Sequence, residues 1–254
     1  MYTWSRATLY GATSKSRSEA MGSEASAGDR LAGTDRQEIE WQYDVPGGLE
    51  RVQEWLADQD REPGLTASEG PSKELSDTYY DTRDRRLYHA GYGVRVRRDG
   101  EEVREATIKT LTPAGAGNPR SWREISEPLK GDDPGTLLEA PGLVGEHLRA
   151  YADLRRLHVL FEVHTHRQTF DLISKDAGRV GEVVLDDSRI VSGGKPTRLI
   201  RVEVEVSPSA ATASPELESF VEAMERALEL RPTRISKYEA GLSALDWGPG
   251  REKE

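Results

Sequence analysis

The run LIRVEVEV, residues 199 to 206, alternates strictly: Val202, Val204 and Val206 fall on one parity, Arg201, Glu203 and Glu205 on the other. Side chains of a strand point alternately to opposite faces, so such a run builds a strand with one apolar and one ionic face. The pattern recurs along the chain. GVRVRR sets Val94 and Val96 against Arg95 and Arg97, ATIKTL sets Ile108 against Thr107 and Lys109, and EIEWQY sets Ile39, Trp41 and Tyr43 against Glu38, Glu40 and Gln42. LFEVHTHRQTFDL (160 to 172) and GEVVLDD (181 to 187) read as further strands.

Three helical stripes intervene. Leu49, Val52, Trp55 and Leu56 form one, residues of about 135 to 152 another, and Leu217, Phe220, Val221, Met224 and Leu228 the clearest. Pro215 suits the start of the last and Pro232 its end. Many strands with few helices between them predict an α+β fold with a mainly antiparallel sheet, not a doubly wound parallel one. Residues 1 to 36 are rich in Ser, Ala, Gly, Thr and Arg without apolar periodicity, which predicts disorder. Met21 is an alternative start. Residues 37 to 248 form one domain, whose loops at 112 to 121 and 206 to 215 are short enough to join its elements, and 249 to 254 form a flexible tail.

With 45 acidic against 35 basic residues and a formal charge of −10, the chain lacks the basic balance of a sequence-independent nucleic-acid binder. The absence of cysteine excludes disulfides, thiolate metal sites and a cysteine nucleophile. No apolar run approaches the roughly 18 residues of a membrane span, and the N-terminus has no signal-peptide core. The expectation is a cytoplasmic protein with neither nucleic acid nor membrane as partner.

The ionic faces are segregated by sign. Glu38 with Glu40, Glu203 with Glu205, and Glu182 with Asp186 gather carboxylates, whereas Arg95 and Arg97 lie on a different strand. Taken singly, each is most simply a solvated strand face. If the sheet closes with these faces inward, carboxylates could hold a hard divalent cation and Arg or Lys a phosphate.

These residues resemble, in order, the motifs of the CYTH group, the triphosphate tunnel metalloenzymes, which includes triphosphatases and a class of adenylyl cyclase. EIEWQY resembles the family's E-x-E-x-K opening and YYDTRDRRLYHAGYGVRVRR its Tyr-Phe-Asp-Thr stretch and Arg-x-Arg strand. ATIKT resembles the strand that supplies a phosphate-binding Lys, and HTHRQTF the one that supplies a central Arg. GEVVLDD, RVEVEV and RISKYEAGL resemble the closing Glu-to-Asp, Glu-x-Glu and Ser-Lys segments.

The resemblance implies an eight-stranded antiparallel β-barrel with flanking helices, holding a triphosphate along its axis. It implies Mg²⁺ or Mn²⁺ on Glu38, Glu40, Asp186, Glu203 and Glu205, with Glu38, Glu40 and Gln42 at the catalytic position. Arg95, Arg97, Lys109, Arg167 and Lys237 would grip phosphate, with Arg123 a further candidate. SWREISE allows two registers, in which either Arg123 with Glu127 or Glu124 faces inward. The implied activity is metal-dependent hydrolysis of inorganic triphosphate or a related small triphosphate, by a monomer or homodimer. One departure stands out: the family has Lys where this chain has Gln42, which carries no charge and cannot act as a base. The alternatives are a binding module for nucleotide, triphosphate or polyphosphate without turnover, and an adenylyl cyclase. Outside the motifs, Tyr80, Asp81 and Thr82 read as turn residues, His164 and His166 as outward-facing, and Trp41, Trp55 and Trp247 as packing.

Overall fold

The computed structural model describes residues 33–58, 64–100, 103–112, 119–129, 137, 140, 142–194, 196–233 and 235–245. Of the segment 1 to 36 expected to be disordered, residues 1 to 32 lie outside the described residues, as do the tail from 249 and Trp247. Thr34 already belongs to a strand, ahead of the boundary expected at 37.

The strands are β1 (Thr34–Asp44), β2 (Leu65–Glu69), β3 (Lys73–Thr82), β4 (Tyr92–Asp99), β5 (Val103–Thr110), β6 (Arg120–Pro128), β7 (Leu157–Ser174), β8 (Gly178–Val191) and β9 (Thr197–Val206). All pairings between them are antiparallel. The sheet runs β7-β3-β4-β5-β6-β1-β9-β8, and the pairing of β8 with β7 closes it into a barrel of eight strands. The ninth, β2, pairs with the far half of β7 outside the barrel. Closure removes the exposed edges an open sheet would carry and forces one parity of every barrel strand inward. Neither β2 nor the first half of β3 has the long alternation that marks the other strands, and both are additions to the sequence reading.

The pairing of β1 with β6 settles the register left open by SWREISE. Arg36 faces Glu124 and Glu38 faces Trp122, so Trp122 and Glu124 share the inward parity with Glu38 and Glu40. Arg123 is on the outer face, where its guanidinium binds the Asp35 carboxylate at 3.0 and 2.7 Å. Arg123 is therefore corrected from phosphate ligand to exposed ion-pair partner.

The apolar parities face outward and are covered by helices. Against Trp41, Tyr43, Val183, Leu185, Val202 and Val204 pack Val52 and Leu56 of α1 (Glu50–Ala57) and Leu217, Phe220, Val221 and Met224 of α4 (Pro215–Leu228). Trp55 meets Phe220 edge-on at 5.1 Å. Ser214 caps α4 with Pro215 in its first turn, and the helix stops at Glu229 in the left-handed region, before Pro232. A second cluster sets Val94, Val96, Ile108 and Ile125 against Leu87 of the short α2 (Arg86–His89) and Val144 and Leu148 of α3 (Leu143–Arg149). The stripe expected at 135 to 152 thus yields a helix from Leu143, and much of what precedes it lies outside the described residues.

One end of the barrel is packed by α5 (Lys237–Ala244). Tyr238 and Leu242 bury against Tyr79, Phe161, Val163 and Ile190, with Tyr79 stacked on Phe161 at 4.7 Å. The approach leaves no room for a side chain at Gly241, whose added Cβ would lie 2.1 Å from the Phe161 ring. A capping box of Ser236 and Glu239 starts the helix and points Lys237 at the barrel interior, where it meets Asp186.

Two buried carboxylates hold local structure. Asp81 accepts the backbone N–H groups of Thr82, Leu87 and Tyr88 at 2.6, 3.0 and 3.0 Å, which fixes the turn into α2 as the sequence predicts. Asp77 is clasped by Arg97, directly opposite on β4, at 2.7 and 2.8 Å. Burial pushes the Asp77 carboxyl up, but Arg97 and Arg95 outweigh it and hold the group well below the usual carboxylate range.

Asp81→Ala strands those buried donors and is expected to cost about 2–3 kcal/mol in denaturant unfolding, whereas Arg123→Ala, which breaks only an exposed pair, should stay within about 0.5 kcal/mol. For Asp77 the folded pKa lies below the unfolded one, so its contribution is complete above roughly pH 4 and is lost as pH falls further. Unfolding free energy measured from pH 7 down to pH 3 should fall on the acid side, and less steeply in Asp77→Asn, which starts about 3 kcal/mol lower. Equal acid slopes in the two proteins would contradict this role.

Candidate active site

The inward parity lines a cavity of about 270 Å³, just under the roughly 300–1,000 Å³ of small-molecule pockets. Its wall includes Glu38, Glu40, Gln42, Arg95, Arg97, Lys109, Arg167, Glu203, Glu205 and Lys237, which the sequence reading singled out. Arg36, Tyr79, Glu105, Trp122, Glu124, Glu182 and Arg201 line it too.

The acidic half is set by strand register. Glu40 of β1 lies directly opposite Glu205 of β9, which in turn lies opposite Glu182 of β8. Like charges so opposed destabilise a sheet unless something compensates them. Oxygens of Glu38, Glu40 and Glu205 fall within 4.8 Å of one another, making the group of potential metal ligands found among the described residues. Burial, together with Glu38 and Glu203 and against the pull of Lys109, pushes the Glu40 carboxyl up to about 7. Burial and the charges of Glu38 and Glu40 raise Glu205 well above the usual range. Buried, crowded, all-oxygen donors fit a hard divalent cation such as Mg²⁺ or Mn²⁺, whose charge would relieve that repulsion.

The basic half is engaged with carboxylates. Lys109 Nζ donates to Glu38 Oε2 and, at 2.7 Å, to Glu40 Oε1, and lies 5.4 Å from the Trp122 ring centroid. Arg167 grips Asp186 at 2.8 and 2.6 Å and approaches Glu203 at 3.5 Å. Lys237 binds Asp186 and lies 3.3 Å from Glu203. Arg95 sits 3.7 Å from both Asp77 and Glu124, and Arg36 binds Glu124 at 3.0 Å. Burial lowers Lys109, yet Glu38 and Glu40 outweigh it and raise its pKa, so the ammonium stays charged.

Two expected metal ligands stand apart from the acidic group. Asp186 is fully buried, and Arg167 and Lys237 between them take both its oxygens, so it serves as their counter-charge. Burial pushes Asp186 up, but Lys237 and Arg167 hold it well below the usual range. Glu203 faces Gln42, Lys237 and Arg167. Gln42 Nε2 donates to Glu203 Oε1 at 3.4 Å, and its Oε1 has no hydrogen-bond partner. His164 and His166 are on the outer face, paired with Ser76 at 3.0 Å and Glu74 at 2.6 Å.

The sequence reading placed Arg201 on the ionic face of its strand but named neither it nor Arg36, two residues before Glu38 on the same parity, as a site residue. Arg201 is fully buried, held by Asp44 at 3.0 and 2.9 Å and by Thr233 and the Ile235 carbonyl. Trp122 and Glu124 were hidden by the ambiguous register, and Asp77 by its place in a stretch without clear alternation.

The family model described as CYTH domain matches residues 37–241. Among solved structures, a candidate adenylyl cyclase from Hippeastrum, described as having a dominant triphosphatase activity, is similar with a TM-score of 0.59 at 14% identity, over 82% of this chain and 95% of that one. A candidate adenylate cyclase from Bacillus halodurans gives 0.55 at 20% identity, over 80% of this chain and 95% of that one. Identities this low speak to the fold alone. No curated protein was found to match. The family match spans most of the sequence and agrees with the closed eight-stranded barrel and its charged interior: the chain belongs to the CYTH family of triphosphate tunnel proteins.

Proposed function

We propose that the tunnel hydrolyses a triphosphate, either inorganic triphosphate or a small organic one, with the help of Mg²⁺ or Mn²⁺. The observation that carries this reading is one cavity in which Glu38, Glu40 and Glu205 converge and which Arg95, Arg167, Lys109 and Lys237 also line. Carboxylates alone would fit a cation, and basic groups alone an anion. Their presence in a single cavity fits a metal–polyphosphate.

The divalent ion, when bound, supplies charge neutralisation at the phosphoryl oxygens and activation of water. The chain supplies position. Arg95 and Arg167 offer planar forks for phosphate oxygens and Lys109 and Lys237 offer point charges. Asp77 and Asp186 hold Arg97, Arg167 and Lys237 in place before any anion arrives. The low exposure of Arg95, Arg167 and Lys237, at 18%, 14% and 10%, strengthens each of these contacts.

A second reading, binding without turnover, is favoured by Gln42. A neutral amide against Glu203 provides neither the charge-assisted contact nor the base that a lysine would, and losing one such transition-state donor costs a few kcal/mol.

A panel of tripolyphosphate and nucleoside triphosphates, with phosphate and cyclic AMP both measured, separates these readings. Phosphate release with Mg²⁺ or Mn²⁺ is expected, abolished by a chelator and reduced at least ~100-fold in Glu38→Ala and Glu205→Ala. Tight metal-dependent binding with no product, and phosphate release appearing in Gln42→Lys, would instead establish the second reading. Cyclic AMP as the main product would contradict both.

A further inference from the structure

The cations of the tunnel are all engaged, but they differ in what engages them. Arg97, Arg167 and Lys237 rest on Asp77 and Asp186, carboxylates outside the group suited to a metal. Lys109 rests on Glu38 and Glu40, two of the three members of that group, and among the described residues no other side chain donates a hydrogen bond to them. The same lone pairs cannot serve an ammonium and a divalent ion together, and the two positive charges would repel strongly at such range in a buried site. We propose that Lys109 is an internal counter-cation which the metal ion displaces, so that its ammonium becomes a phosphate contact only after the metal has arrived.

Three features support the exchange. Glu40 is almost completely buried, so its ionised carboxylate needs a counter-charge close by, and Lys109 supplies it. The ammonium already lies 5.4 Å from the Trp122 ring, a face that attracts cations and gives the displaced group somewhere to rest beside the cavity. The Trp122 indole Nε1–H is buried without a partner and lines the same cavity, a further donor beside the vacating lysine. The consequence is specificity for the metal–polyphosphate pair: a free polyphosphate meets a tunnel in which Lys109 is withheld. The inference rests on the triphosphate reading above.

Calorimetry with Mn²⁺ and the non-hydrolysable imido analogue of tripolyphosphate tests it on the wild type, Lys109→Gln and Arg36→Gln. Without metal, Lys109→Gln should bind the analogue within about twofold of wild type, and with Mn²⁺ about tenfold or more weakly. For Mn²⁺ alone, Lys109→Gln should bind about tenfold more tightly, because the competing cation is gone. Arg36→Gln removes a charge lying 3.9 Å from Glu38 but donating no hydrogen bond to it, and should change Mn²⁺ affinity far less. Equal weakening of the analogue with and without metal would make Lys109 a permanent phosphate contact and overturn the proposal, as would Mn²⁺ affinities shifted alike in the two variants. On the wild type alone, the side-chain NMR signal of Lys109 should change on adding Mg²⁺, and an unchanged signal overturns the proposal even if the variant fails to fold. Failure of the wild type to bind Mn²⁺ would instead remove the triphosphate reading and this inference with it.

Discussion

Glu40 and Glu205 face each other across β1 and β9, inside a closed barrel, with Glu38 two residues along and Glu182 on the next strand. The rest of the molecule is organised around tolerating that arrangement. A closed sheet cannot turn one parity back to solvent, so once these carboxylates are inside, compensation must also come from inside. It comes from Lys109, which binds Glu38 and Glu40, from Arg36, 3.9 Å from Glu38, and from the Arg167 charge acting on Glu205. The interior is thus a lattice of ion pairs held at high electrostatic cost, and a metal with its polyphosphate could exchange into it.

Most of the hydrophobic core sits on the outside of the barrel as a consequence. With the interior polar, the apolar parities of β1, β8 and β9 must find cover elsewhere, and α1 and α4 supply it. α5 then has a dual part. Its Tyr238 and Leu242 pack one end of the barrel with apolar contacts, while the residue that opens the helix, Lys237, reaches the buried Asp186. Packing and chemistry are joined in a single short helix.

Much of this was legible in the sequence because period two names faces without reference to the rest of the fold. The parities of 38 to 42, 94 to 97 and 201 to 206 alone indicated the tunnel wall, and the order of the motifs indicated the family. What was not legible depended on pairing between distant strands. In SWREISE an aromatic, Trp122, turns inward and an aliphatic, Ile125, outward, so hydrophobicity could not choose the register. Asp186 had the right parity and the right chemistry for a metal, but its neighbours are Arg167, directly opposite on β7, and Lys237 of α5. That adjacency is a property of the closed sheet and of α5, which no local pattern encodes. Arg36 and Arg201 are different: their parity was plain, and only a domain boundary set too late and attention to the glutamates left them out.

The central claim is that the interior is built for a cation and a polyanion together. Thermal unfolding with Mn²⁺ alone, with the imido analogue of tripolyphosphate alone, and with both tests it most directly, since a ligand that binds the native state raises the midpoint in proportion to its affinity. The expected result is a rise with both ligands that clearly exceeds the sum of the two separate rises. Separate rises that merely add, or no rise at all, would contradict it.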